Sequence, residues 1–278
     1  MKRPRTKTPR PTVRAPWTRD ADLLPAGGHS CYVAAMYHES GPTFWELIRQ
    51  GLSSTDEGYD QLAPKFDYTP FRTPDMLLER AAEVAAERGV RARSGLDVCC
   101  GTGAGLRWFR PLCDQRMLGL DRSAGMLAEA DRKLSEVRDE VPHALVRGDA
   151  MAMPFADGSF ELAVCFGAFG HILEEDEPRF VAEVARVLAP GGRFVFITGE
   201  MPSITSPQRW AARGFNAVMR VRNALIQPPF IMYYLTFLLP QVRLLLRSKG
   251  FDVEVVEEAF EAPFGAAKLV IATKWNRV

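Results

Sequence analysis

A glycine-rich turn that follows an apolar run is the feature that most constrains the fold of this chain. In residues 94–109, "SGLDVCCGTGAGLRWF", a strand-like run leads to Gly101, Gly103 and Gly105, and a helical pattern follows. After a parallel strand, such a turn removes side chains where a ligand must approach backbone N–H groups, and the helix start favours anionic or polar ligand groups. The turn predicts a site for a nucleotide-like cofactor, although glycines alone also occur for tight packing.

Helix-period and strand-like segments alternate from residue 74 to the end of the chain. Strands are predicted at 95–100, 116–121, 143–149, 161–169, 193–200, 251–260 and 266–275. Helices are predicted at about 74–88, 104–113, 123–137 and 175–188. This order indicates a three-layer, doubly wound, Rossmann-like α/β domain with a seven-stranded, mostly parallel sheet and a terminal antiparallel strand pair.

Residues 1 to about 54 lack the sustained helical or strand periodicity of the rest of the chain. Residues 1–54 predict a basic, partly disordered N-terminal extension with one short helix near residues 42–52, and residues 55–278 predict the folded domain. Within that domain, residues 203–249 predict one or two helices that prolines interrupt. The apolar run 228–240 is too short to cross a bilayer of about 30 Å and is interpreted as an amphipathic or core helix, with membrane-surface contact as the alternative.

Charge and cysteine content narrow the class of partner. The formal net charge of +1 predicts no nucleic-acid partner, although the basic arm at residues 2–14 keeps that alternative open.

The cysteines predict the compartment. Five cysteines without zinc-site or disulfide spacing predict reduced thiols in a cytoplasmic protein, and no apolar region typical of a secretory signal follows the basic start. We expect a monomer or a homodimer, with residues 20–54 available as a lid or a dimer contact.

Three aspartates lie within or at the ends of the first three predicted strands. Asp97 lies within the first strand, and Asp121 and Asp149 end the second and third. The carboxyl ends of parallel strands form the edge where open α/β sheets bind ligands. Asp121 lies about twenty residues past the glycines, where a carboxylate can accept hydrogen bonds from ribose hydroxyls. A single aspartate of this kind is more often a helix cap, but three in register favour a site.

Four segments together resemble a class I S-adenosylmethionine-dependent methyltransferase. They are "LDVCCGTGAG", "GLDRSAGMLAEA", "GDAMAMPFADGSFELAVCFGAFGHI" and "EVARVLAPGGRFVFI". The resemblance covers residues 59–273 approximately and is to the methyltransferase type 11 group, which includes ubiquinone and menaquinone C-methyltransferases.

The resemblance implies a set of cofactor-binding residues. Asp97, Gly101 and Gly103 would hold the methionine moiety, and Asp121 would hold the ribose. The adenine would lie against Asp149, Ala150, Met126 and Met151. The same segments add Cys100, Thr102, Arg122 and Phe166 to this set. Tyr59 is included because "YDQLAPKFD" resembles the family's "YDxxAxxYD" segment, with Phe66 in place of the second tyrosine.

The same resemblance implies the reaction. S-adenosylmethionine would donate a methyl group and leave as S-adenosylhomocysteine, and no metal-binding spacing is present. His171 is the candidate base, because "FGAFGHI" is similar to a family segment that carries two histidines, with Gly170 in place of the first.

The expected acceptor is a small hydrophobic molecule such as a quinone precursor, a polyketide or another secondary metabolite, roofed by residues 203–249 as an insertion or lid. The residues predicted to favour an apolar acceptor are Phe215, Met219, Phe230, Met232, Tyr233, Tyr234 and Phe237.

Two alternative functions remain at this level. A nicotinamide-dependent oxidoreductase also has glycines after the first strand and an acid after the second, but the GxGxG spacing and the terminal antiparallel pair disfavour it. The other alternative binds S-adenosylmethionine without methyl transfer, or uses it only to organise a reaction such as a cyclisation.

Overall fold

A computed structural model describes residues 40–69, 71–137 and 141–276. The basic arm and most of the predicted N-terminal extension lie outside these residues. The helices are α1 Phe44–Leu52, α2 Thr55–Leu62, α3 Asp75–Glu87, α4 Ala104–Phe109, α5 Ala124–Ser135, α6 Glu177–Val187, α7 Pro207–Leu225 and α8 Gln241–Ser248. The strands are β1 Ala92–Val98, β2 Cys113–Asp121, β3 His143–Arg147, β4 Phe160–Cys165, β5 Leu188–Thr198, β6 Phe251–Val256 and β7 Lys268–Lys274.

The seven strands form one sheet in the order β3-β2-β1-β4-β5-β7-β6. Strands β1 to β5 are parallel to one another, whereas β7 pairs antiparallel with both β5 and β6. The predicted doubly wound sheet and its terminal antiparallel pair are therefore confirmed. The strand order reverses between β1 and β4, which is where open α/β sheets form a ligand crevice.

The central strands are buried on both faces. In β1 and β4, which lie mid-sheet, nearly every position is buried or half-buried, as the near-continuous apolar runs of a parallel sheet predict. One face packs against α6 and α8 through a cluster of phenylalanines. That cluster contains Phe169, Phe180, Phe194, Phe196 and Phe237. The other face packs against α3, α4 and α5, so the carboxyl ends of the strands are held rigidly from both sides.

The short helix predicted near residues 42–52 is confirmed as α1. Thr43 and Glu46 form a capping box, in which each side chain accepts a hydrogen bond from the other residue's backbone N–H. The same arrangement of Ser54 and Glu57 begins α2. Two adjacent capping boxes therefore divide residues 43–62 into two successive helices.

The predicted helix over residues 228–240 is wrong. The chain from 226 to 240 is irregular, and α7 ends before it at Leu225. Prolines at 228, 229 and 240 leave too few residues for a stable helix, and side chains replace the helical backbone bonds. Asn223 exchanges two hydrogen bonds with the backbone of Phe230, and Asn216 does the same with Tyr234. We call residues 230–238 the ceiling segment.

Candidate active site

A cavity of about 540 Å³ opens at the carboxyl ends of β1 and β4. The glycine turn after β1, the end of β2 and the turn after β4 form its floor, whereas residues 55–69 and 71–73 and the ceiling segment close it from above. Its volume falls within the range of roughly 300–1,000 Å³ that is typical of small-molecule sites. The cavity therefore lies at the carboxyl edge of the parallel strands, where the strand order reverses.

Asp97 places a buried carboxylate beside this cavity. Burial raises the pKa of Asp97 well above its usual value, and the Leu106 backbone N–H is its stabilising hydrogen-bond donor. Its Oδ2 atom is buried and has no hydrogen-bond partner among the described residues. A Cβ atom on Gly105 would lie 2.5 Å from that oxygen, so only glycine fits there. An unpaired buried carboxylate of this kind is suited to bind a ligand ammonium group.

Asp121 fixes the glycine turn with one oxygen and the following helix with the other. Its Oδ2 accepts from the Gly101 N–H at 2.8 Å, and its Oδ1 accepts from the Ser123 N–H at 2.9 Å. Burial raises the pKa of Asp121, although these hydrogen bonds act in the opposite direction. Each carboxylate oxygen keeps capacity for a further donor, so the group can also accept hydrogen bonds from a vicinal diol.

Backbone conformation leaves room beside Asp121. Gly101 has φ of 51°, in the left-handed region, and a Cβ atom there would meet no atom within 4 Å. The turn therefore exposes its backbone to the cavity, as expected for a ligand cradle.

Two acids that the sequence analysis did not single out fasten residues 55–68 over the turn. Asp60 Oδ1 accepts from the Ser123 hydroxyl at 2.5 Å and from the Gly125 N–H at 2.9 Å, at the start of α5. Asp67 accepts from the Thr102 hydroxyl at 2.8 Å and from Lys133 at 2.5 Å. Both acids occur in "YDQLAPKFD", so the motif itself was the signal that could have identified them.

Tyr59 and His171 form a hydrogen-bonded pair on the cavity wall. The distance between the Tyr59 hydroxyl and His171 Nε2 is 2.8 Å, and His171 Nδ1 lies 2.5 Å from the Ile231 carbonyl. A carbonyl only accepts, so Nδ1 carries the proton and Nε2 accepts from Tyr59 in the neutral imidazole. Burial lowers the pKa of His171 and raises that of Tyr59, which keeps both groups neutral near pH 7.

The remaining predicted cofactor residues divide into two groups. Residues that border the cavity are Cys100, Thr102, Arg122, Met126 and Phe166. Gly103, Asp149, Ala150 and Met151 are not among its lining residues. Gly103 instead begins α4 with φ of 84°, and Asp149 Oδ1 accepts from the Met151 N–H at 2.8 Å. Their roles toward a cofactor stay predictions.

The predicted acceptor residues divide in the same way. Met232, Tyr233 and Tyr234 line the cavity. Phe230 and Phe237 are buried and do not line it, and Phe215 packs edge-on against Tyr234. Met219 is not a lining residue either. The ceiling segment, and not α7, is the part of the 203–249 insertion that faces the cavity.

Among the described residues, no group of three or more His, Cys, Asp or Glu side chains could hold a metal ion. None of the helices in the described part of the chain combines the length and the hydropathy that a membrane span requires.

Comparisons with known proteins agree with this geometry. Residues 96–196 match a family described as a methyltransferase domain. A demethylmenaquinone methyltransferase of Lactococcus lactis subsp. lactis is 32% identical over 164 residues, which cover 57% of this chain and 61% of that protein. The chain thus spans about three fifths of the length of that relative.

Solved structures share the fold at low identity. The phosphoethanolamine N-methyltransferase 2 of Haemonchus contortus, in complex with phosphomonomethylethanolamine and S-adenosylhomocysteine, has a TM-score of 0.52 at 18% identity, covering 70% of this chain and 52% of that one. The [4+2]-cyclase SpnF has a TM-score of 0.51 at 19% identity, covering 72% and 81%. Residues 96–196 therefore match a methyltransferase domain, and the sheet order, with the cavity at its switch point, fits the fold of these solved structures.

Proposed function

We propose that this chain transfers a methyl group from S-adenosylmethionine to a small apolar acceptor and releases S-adenosylhomocysteine. The observation that carries this proposal is the buried Asp97 Oδ2 atom, which has no hydrogen-bond partner among the described residues, on a side chain that borders the same cavity as Asp121. The likeness to demethylmenaquinone methyltransferases supports a quinone precursor as the acceptor, and a polyketide or another secondary metabolite fits the same chemistry. The free thiols of the described cysteines support a reducing, cytoplasmic location.

The residues present fit the cofactor. Asp97 would bind the ammonium group of its methionine moiety, and Asp121 would accept hydrogen bonds from its ribose hydroxyls. Met126 is buried and borders the cavity, so its thioether would pack against the adenine. When bound, the cofactor supplies a methyl group activated by a positively charged sulfur.

The acceptor side of the cavity is apolar. Met232, Tyr233, Tyr234 and Leu235 line it from the ceiling segment, and Phe166 lines it from the end of β4. Aromatic and aliphatic walls bind a hydrophobic acceptor and exclude water, so positioning supplies most of the rate.

The Tyr59–His171 pair can remove a proton from an acceptor hydroxyl. The acceptor proton would move to the Tyr59 oxygen as the Tyr59 proton moves to His171 Nε2. The imidazolium that forms keeps its Nδ1–H bond to the Ile231 carbonyl. Tyr59 would thus be the catalytic contact, and His171 would act through it.

Substitution of Tyr59 by phenylalanine should lower the rate of methyl transfer to a hydroxyl acceptor about 100-fold, because the proton relay is lost. S-adenosylmethionine affinity should stay within a few-fold. In the wild type the rate should fall below the lowered pKa of His171, where the imidazole becomes protonated and cannot accept, and should be flat above it. Single-turnover rates between pH 5 and 9 measure both effects.

Tyr68→Phe is the matched control, since Tyr68 is exposed and does not line the cavity. An unchanged rate in Tyr59→Phe would exclude the relay. If Tyr59→Phe instead lost the same factor of rate at every pH, and the wild-type rate did not fall at low pH, the pair would have only a structural role.

Calorimetric titration with S-adenosylmethionine, S-adenosylhomocysteine and NADH tests the function itself. Micromolar binding of the first two, without NADH binding, is the expected result. Incubation of the loaded protein with demethylmenaquinone analogues and other apolar phenols should then yield methylated products by mass spectrometry. Binding of NADH alone would favour the oxidoreductase. Tight cofactor binding that yields no methylated product would favour the alternative that only binds S-adenosylmethionine.

A further inference from the structure

The outer face of α7 is apolar along its whole length. Trp210, Val218, Val221 and Leu225 are all more than half exposed. Of the other exposed positions between Trp210 and Leu225, 211, 214, 217 and 224 are alanine or glycine, and 213 and 220 are arginine. The apolar residues share one stripe of the helix, and no residue of α7 is buried. A helix that packs on its own domain normally turns such a stripe inward, so this one is unpartnered among the described residues.

Cations flank this stripe. The sequence of α7 contains four arginines and no acidic residue. Arg213 and Arg220 are exposed at the margin of the stripe and form no ion pair with any described residue, and the Arg213 guanidinium lies 5.5 Å from the centre of the Trp210 ring. An apolar face with tryptophan and leucine, bordered by unpaired arginines, is typical of helices that lie in the interface of an anionic membrane.

Helix α1 adds a second exposed apolar stripe beside α7. Trp45, Ile48 and Leu52 are spaced three and four residues apart and are exposed. The Arg222 guanidinium donates to the carbonyls of Gly51 and Ser53, each at 2.8 Å. These hydrogen bonds join the last turn of α7 to the end of α1, so the two stripes lie on neighbouring helices.

The helix is also fastened to the roof of the cavity. Asn216 and Asn223 lie on the inward side of α7, and each exchanges two hydrogen bonds with the backbone of the ceiling segment, at Tyr234 and Phe230. A surface that lies against α7 would therefore be separated from the cavity only by α7 and the ceiling segment.

We propose that the outer faces of α7 and α1 dock on the surface of an anionic lipid membrane. The apolar side chains enter the acyl boundary, and Arg213 and Arg220 lie among anionic headgroups. This placement goes beyond the proposed function, and where that function holds it brings the cavity to the phase in which an apolar acceptor dissolves. Docking needs neither cofactor nor acceptor, so it is measured independently of catalysis.

Co-sedimentation of the full chain with vesicles tests the proposal. We expect binding to phosphatidylcholine vesicles that contain phosphatidylglycerol, and much weaker binding to pure phosphatidylcholine. The double variant Arg213→Gln/Arg220→Gln should lose about 30-fold on the anionic vesicles, since each arginine near such a surface contributes a factor of about five. Val221→Ser/Leu225→Ser should lose at least tenfold on both kinds of vesicle.

Leu244→Ser is the matched control, because Leu244 is 65% exposed on α8, which packs on β6 and α6. It should bind vesicles like the wild type, and every variant should bind S-adenosylmethionine like the wild type, which reports folding. Failure of the wild type to sediment with anionic vesicles would overturn the proposal. A soluble dimer that Val221→Ser/Leu225→Ser converts to a monomer would also overturn it, since the face would then join two copies of the chain.

Discussion

Replacement of Asp97 by asparagine is expected to weaken S-adenosylmethionine binding about 100-fold and, at the same time, to stabilise the ligand-free protein. The carboxylate is buried, and its Oδ2 has no partner among the described residues. Loss of the negative charge leaves a bound ammonium group without its counter-charge, which costs about 3 kcal/mol. The ligand-free chain no longer has to desolvate that charge, so its melting temperature should rise by roughly 3 °C, the effect of ~1 kcal/mol.

The pH dependence follows from the raised pKa of Asp97. Below its unfolded pKa of about 3.9 the carboxyl is protonated in both states and contributes nothing to the pH dependence of stability. As the pH rises, the unfolded chain releases the proton first, so the free energy of unfolding of the wild type falls until the folded pKa is passed. The stability gain of Asp97→Asn should therefore be small near pH 4 and largest near pH 8.

Cofactor affinity should follow the opposite trend. The ammonium group binds the ionised carboxylate, so wild-type affinity should rise with pH through the raised pKa of Asp97, with release of a proton on binding. In Asp97→Asn this rise should be absent. Calorimetry in two buffers of different ionisation enthalpy measures the proton release, and thermal melts from pH 4 to 8 measure stability.

Asp114→Asn is the control, because Asp114 is an exposed acid on β2 that does not border the cavity. It should change neither property. If Asp97→Asn bound S-adenosylmethionine as tightly as the wild type, the carboxylate would not contact the ligand. If the variant were less stable than the wild type at pH 8, the charge of Asp97 would be compensated in the ligand-free protein.

Local sequence predicted the floor of the site because the floor is built from local features. Glycines 101, 103 and 105 and the strand ends at Asp97 and Asp121 depend on backbone conformation and on the common edge of a parallel sheet. Both can be inferred from apolar runs and turn residues. In the structure, Asp97 and Asp121 border one cavity at the carboxyl edge of the sheet.

The roof of the site depends on distant partners. Asp60 and Asp67 look like ordinary surface acids until α5 and the glycine turn supply their donors, 63 and 35 residues away. The ceiling segment was expected to be helical from its apolar content, but asparagines of α7 and the Gly170 carbonyl bond its backbone. Tertiary hydrogen bonds of this kind override local propensity and leave no periodic pattern.

Gly170 is a single position at which a tertiary contact overrides what the local sequence suggests. The family segment that "FGAFGHI" resembles has a histidine at this position. The Tyr233 N–H donates to the Gly170 carbonyl at 2.7 Å, so the ceiling segment lies directly on this residue. A Cβ atom on Gly170 would lie 2.8 Å from the Tyr233 carbonyl oxygen, which is a backbone atom and cannot rotate away. No side chain fits at position 170 unless the ceiling segment moves.

Gly170→Ala should therefore displace the ceiling segment and lower kcat/KM for the acceptor by 10- to 100-fold. The shift would lengthen the His171–Ile231 bond and misplace Met232, Tyr233 and Tyr234 on the acceptor side, where small errors of position are costly. The forced contact should also lower the free energy of unfolding by about 1–3 kcal/mol. Asp97 and Asp121 lie on the floor, so S-adenosylmethionine affinity should change less than threefold.

Gly214→Ala provides the comparison, because a Cβ there meets no atom within 4 Å and Gly214 lies within α7. Alanine should stabilise that helix by roughly 0.5–1 kcal/mol and leave turnover unchanged. Calorimetry, thermal melts and acceptor kinetics on both variants separate the roof from the floor. Equal loss of cofactor affinity and acceptor turnover in Gly170→Ala would mean that the two halves of the cavity are mechanically coupled, contrary to the division of the site into a preformed floor and a roof held by distant contacts.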